Sequence, residues 1–163
     1  IAIFVSRQLS KSFAVDLLLT SGHELGMCGG YYLAQSYDAE LRCVLHLGSC
    51  IANIDAKMTS ICSADSMTSG RIAGVFKRLG IKPVTPSDPT NTKNWVGESM
   101  CWASNNWPIL SIAGLAPHFH ARSDLLEVVT TPGLLATAID VIGDSALALA
   151  NHGKTEMSKG FVP

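Results

Sequence analysis

Phe13-Ala14-Val15-Asp16-Leu17-Leu18-Leu19-Thr20 is an apolar run of strand length that stops at a turn-forming stretch, Ser21-Gly22-His23-Glu24-Leu25-Gly26. A helical pattern then runs from Met27 to Tyr37. This strand–turn–helix unit constrains the fold most, because a run so short is buried as a strand and places its polar turn at the carboxyl end. The pattern recurs. Leu41 to Leu47 predicts a second strand ending at Gly48-Ser49, and Lys57 to Cys62 a third. An amphipathic helix is expected from Ala64 to Leu79, closed by Gly80. Pro83 to Asn94 reads as a surface loop, Trp107 to Ala113 as an apolar strand, and His118-Phe119-His120 as the loop beyond it. Thr131-Pro132 opens a last helix with Thr131 as N-cap, while the residues from Gly153 on read as a frayed tail. Ile1 to Ser10 reads as the end of an apolar helix. Alternating strands and helices with short connections predict an α/β sandwich, and 163 residues suffice for one domain over 1–163.

Composition narrows the function classes. Twelve basic against 13 acidic residues leave a formal charge of -1, with no cationic excess for phosphate contacts, so no nucleic-acid partner is expected. Charged residues are 15% of the chain, below the ~25% usual in soluble domains. Mean hydropathy is +0.27. That balance predicts that part of the surface is covered, by an N-terminal segment missing from this sequence or by another chain. No uninterrupted apolar run reaches the ~20 residues of a membrane span, so none is expected. The opening Ile1-Ala2-Ile3-Phe4-Val5 lacks an initiator Met and a basic leader, which reads as a start inside a domain rather than an intact signal peptide. The cysteines number five and show no CxxC spacing. Most of them read as buried thiols of a reducing compartment, a lean toward the cytoplasm.

Three polar clusters fall at predicted strand ends, where ligands bind in open α/β sheets: His23-Glu24, His46 to Ser49, and His118 to Asp124. His23-Glu24 is either a polar turn pair or two groups aimed at one centre; Met27 stands where H-E-x-x-H needs its second histidine, so that helix motif is excluded. His118-x-His120 has the spacing that puts two imidazoles on one side of an extended segment, with Asp124 placed to orient one of them. Two unrelated histidines on a solvated loop are the alternative. His46, near a strand end, is either a satisfied core group or a ligand. Glu98 reads as a carboxylate at a helix N-terminus, and Trp95, Trp102 and Trp107 as core or pocket wall. His152, at the end of the last helix, is given no role.

Taken in order, Leu18-Leu19-Thr20-Ser21-Gly22-His23-Glu24-Leu25-Gly26, Val44-Leu45-His46-Leu47-Gly48, Pro108 to Gly114, and Phe119-His120 followed by Asp124 resemble the motifs of the co-catalytic zinc aminopeptidases, whose fold glutaminyl cyclases share. The resemblance runs from about Phe13 to Ala150. It implies a mixed β-sheet sandwiched between helices, a zinc cofactor, and a peptide or small aminoacyl substrate. Glu24 and His120 take family ligand positions. His23 replaces the family's general-base Glu, and Gly48 replaces a ligand Asp. The family's remaining ligands lie upstream of this sequence. The expected metal set is therefore Glu24, His120 and His46, with His23 as base or further ligand. Three functions follow: a zinc-dependent aminopeptidase-type hydrolase with a rebuilt site, a catalytically inactive relative acting as a binding module, or a cyclase-like transferase. The last is disfavoured by loss of the Glu at position 23.

Overall fold

The structure is a computed structural model that describes residues 1–38, 41–55, 57–62, 77, 82–84, 91–103 and 107–159; of 57–62, 82–84, 92 and 152–159 only the backbone is described. Four strands form one sheet: β1 (Val44–Leu47), β2 (Lys57–Cys62), β3 (Lys82–Val84) and β4 (Ile109–Leu115), in the order β1-β4-β2-β3. β4 runs parallel to β1 and antiparallel to β2, and β2 runs parallel to β3. The chain is thus α/β with a mixed sheet. The helices are α1 (Ala2–Leu9), α2 (Cys28–Ser36), α3 (Ser99–Ala103), α4 (Leu126–Val129) and α5 (Pro132–Lys159).

Alternation along β4 supplies two cores. Leu110 and Ile112 are fully buried against Val5 of α1 and against Ala138, Val141, Ile142, Ala146 and Leu149 of α5. Ile109 packs on the opposite face with Ala34 of α2 and with Trp95, Cys101 and Trp102. Successive strand side chains face opposite ways, so one apolar strand feeds both layers. Burying each large aliphatic side chain contributes about 1.5–3 kcal/mol.

Helix α5 starts as its sequence dictates: Thr131 Oγ1 accepts the Leu134 N–H at 3.2 Å, and Pro132 begins the first turn. Its residues 132–151 make it the one helix among those described that is long and apolar enough to cross a membrane, by length and composition alone. Interleaved Gly, Asp and Ser hide that length from a search for uninterrupted apolar runs. The helix lays its apolar side on the sheet as part of the core.

Three expectations change. Residues 14–20 form no helix or strand, and no backbone hydrogen bond ties them to β1, which pairs only with β4 among the described residues. Without a neighbouring strand to bury them, the leucines are exposed, Leu19 to 87%. The helix α5 continues to Lys159 instead of fraying at Gly153. The stretch read as a loop from Pro83 holds the end of β3 and a 3-10 turn at Thr92–Asn94. The helix expected over 64–79 lies outside the described residues, apart from a helical Lys77.

Candidate functional site

His23 opens a 3-10 turn, His23–Leu25, set between Gly22 and Gly26, both in the left-handed region (φ 76° and 73°). That conformation favours glycine, and a Cβ at Gly22 would also run into Cys28 Sγ. The turn thereby carries His23 off the line of residues 14–20 and toward α3. There His23 Nδ1–H donates to Glu98 Oε1 at 2.8 Å. Glu98 precedes α3, and its carbonyl accepts the Cys101 N–H. Its side chain passes α2 at Gly30, where a Cβ would stand 3.2 Å from Glu98 Cγ. The hydrogen bond that His23 donates to Glu98, then the carboxylate's charge, raises the His23 pKa above 6.5, against burial, which lowers it. For Glu98 the largest single influence, burial, pushes upward; the His23 bond, a backbone bond and the charges of His23 and His46 together outweigh it, and the net direction is down. The other ring nitrogen of His23, Nε2, has no described partner, and the side chain is 58% exposed.

His46 sits opposite Ser111 in the β1–β4 register, and His46 Nδ1 lies 2.8 Å from Ser111 Oγ. Its Nε2 faces Glu98 Oε2 at 3.7 Å. Burial lowers its pKa below 6.5, partly offset by Glu98. Burial thus favours the neutral imidazole at His46, while Glu98 favours the protonated form of His23.

The other candidates form separate pairs. Glu24 Oε1 lies 3.9 Å from His120 Nε2, and both side chains are largely exposed. His120 itself has a left-handed backbone (φ 63°) and stacks on Phe119. His118 turns elsewhere, with Nδ1 2.8 Å from Ser123 Oγ and Nε2 3.9 Å from Asp55 Oδ2. The turns of this segment, not an extended strand, set its side-chain directions, so the two imidazoles do not share a centre. Asp124 orients neither of them among the described contacts; its N–H donates to Ala121. Trp95 and Trp102 are core, at 3% and 5% exposure.

The zinc implied by the resemblance asks for three protein ligands around one point. As placed, Glu24 and His120 make one pair and His46 belongs to the Glu98 cluster. Among the described residues, no group of three or more His, Cys, Asp or Glu is arranged to hold a metal ion. This arrangement does not fit the expected Glu24, His120 and His46 centre.

His23, His46, Glu98 and His120 all line one cavity of about 1240 Å³, whose walls include Leu17, Leu18, Leu47, Val96, Leu115 and Phe119. Glu98, read from the chain as a carboxylate at a helix start, instead meets His23 across the fold. Its only signal in sequence is Gly97-Glu98-Ser99 at a helix start, which a capping role already explains. Comparison with known proteins gives no significant match to this chain among protein families, curated proteins or solved structures.

Proposed function

We propose that the protein is a divergent aminopeptidase-like hydrolase in which His23, oriented by Glu98, is the general base. The observation that carries this reading is the 2.8 Å bond from His23 Nδ1 to Glu98 Oε1 beside an unpartnered Nε2 at an apolar cavity. A carboxylate on one ring nitrogen fixes the tautomer that leaves the other as a base, and it stabilises the imidazolium formed on proton uptake. In the proposed reaction, Nε2 takes a proton from water as its oxygen bonds to the substrate carbonyl carbon. The same proton then passes to the leaving amine as the C–N bond breaks, which returns neutral His23. The apolar walls favour a peptide or small aminoacyl substrate with a hydrophobic side chain. The resemblance of residues 13–150 to the co-catalytic aminopeptidases supports the same reaction class.

The test is hydrolysis of a panel of aminoacyl p-nitroanilides by the wild-type chain and by His23→Ala and Glu98→Gln. Loss of the base or of its orienting carboxylate is expected to lower kcat/KM by roughly 10²–10⁴-fold. Turnover unaffected by either substitution overturns the reading. A second reading is favoured by the separated, solvent-exposed Glu24–His120 pair: a relative that keeps the fold as a binding module. No turnover in any variant, with or without added zinc, supports that module. Zinc content measured on the same samples, with Glu24→Ala and His120→Ala, checks whether either residue holds a metal ion.

A further inference from the structure

We propose that His46 is a positioning residue that aims Glu98 at His23, an inference that rests on the base assigned above. The imidazole of His46 is held on three sides. Sheet register sets it against Ser111, which is 0% exposed, and Ser111 Oγ meets Nδ1 at 2.8 Å. Two glycines make room for the ring's remaining edge. A Cβ at Gly48 would stand 3.2 Å from His46 Cε1, and one at Gly97 would stand 3.3 Å from Cε1 and 3.4 Å from Nε2. Gly97 is also left-handed, at φ 55°, a conformation that favours the residue with no side chain. A ring so confined presents Nε2 to Glu98 Oε2, while Oε1 bonds His23.

Proton placement follows from the partners. Nε2 lies 3.7 Å from a carboxylate oxygen, which accepts only, so we assign the ring hydrogen to Nε2. Nδ1 is then the acceptor, and the Ser111 hydroxyl donates to it. The chain of contacts runs from the sheet through Ser111, His46 and Glu98 to the reactive histidine. Attraction at the second oxygen restrains rotation of the Glu98 carboxyl and keeps the first oxygen aimed at His23 Nδ1. The charged or titratable groups around this chain are Glu98 itself, His23, Glu24 beside His23, and Cys101 near Glu98.

Three variants test the proposal on samples whose urea midpoints match the wild type: His46→Leu, His46→Gln and Ser111→Ala. Gln keeps an N–H donor within reach of Glu98, and Leu does not. His46→Leu is expected to lower kcat on an aminoacyl p-nitroanilide by about 10- to 100-fold with KM little changed, as misplacement of a reacting group does; His46→Gln recovers most of it. A readout free of activity comes from imidazole NMR. Wild-type His46 is expected to carry its proton on Nε2, and Ser111→Ala to release the ring into mixed tautomers. The His23 titration midpoint is expected to fall toward its ordinary value in His46→Leu and to hold in His46→Gln. A proton on Nδ1 in the wild type, or Leu and Gln variants that behave alike in the His23 titration, overturns the proposal. Absence of hydrolysis in every sample, with the NMR results as expected, overturns the assigned reaction and leaves the positioning role standing.

Discussion

Gly48→Ala adds one methyl group where the sheet is tightest. A Cβ at residue 48 would lie 2.8 Å from Ala113 Cβ, 3.2 Å from His46 Cε1 and 3.4 Å from the Ile112 carbonyl oxygen. Carbon pairs rest at about 3.5–4.0 Å, so the first contact is short by roughly 0.7 Å or more. Ala113 sits on β4, held by both its neighbours, and the His46 ring is bonded to Ser111, so neither moves freely. Overpacking of this kind costs about 1–3 kcal/mol. At this chain length each kcal/mol lowers Tm by about 2–4 °C, so a fall of about 2–12 °C is expected. Tryptophan fluorescence during urea and thermal unfolding reads it, since Trp95 and Trp102 are core. Relief should come from Ala113→Gly: adding the methyl at 48 in that background is expected to cost less than half as much. A Gly48→Ala protein within about 0.5 kcal/mol of the wild type would refute the packing argument, and with it the confinement of His46.

Two further predictions concern the site and the sheet edge. The raised His23 pKa contributes stability that is fully present below 6.5 and lost as pH rises through the folded value. Burial depresses the His46 pKa, so stability is lost as pH falls below 6.5 through its folded value; Glu98, whose pKa is lowered, adds a loss on further acidification below 4.5. Urea midpoints across pH should therefore show the wild-type advantage over Glu98→Gln shrinking on the alkaline side; an advantage that grows with pH there contradicts the assignment. In β1, the Val44 and Gly48 N–H groups bond Pro108 and Ile112 carbonyls at 2.8 Å each, while Leu45 and Leu47 alternate to the outer edge. Amide exchange is expected to be faster at Leu45 and Leu47 than at Val44 and Gly48. Equal protection would mean that residues 14–20 pair with β1 after all.

Local chemistry made much of the scaffold legible. A capping threonine before proline marks the start of α5, and apolar runs mark β1 and β4, because those signals act within a few residues. The failures share a cause, which is dependence on a distant partner. Residues 14–20 have the composition of a buried strand, yet a strand needs a neighbour, and Leu19 stays exposed without one. His118 and His120 share a face only if the backbone is extended; the left-handed His120 breaks that premise. Glu98 lies 75 residues from His23, and a helix-start role accounts for it in sequence without any hint of that meeting. His46 was legible as either a core group or a ligand, and only its register opposite Ser111 shows what satisfies its ring.

Glu98 holding His23 is the contact on which the base depends, and one titration reads it directly. Following the His23 imidazole resonance against pH, the wild type is expected to titrate above 6.5. In Glu98→Gln the midpoint should fall back to the ordinary histidine value. A wild-type midpoint already at that value, or one that Glu98→Gln leaves in place, would contradict the pairing and the general-base role built on it.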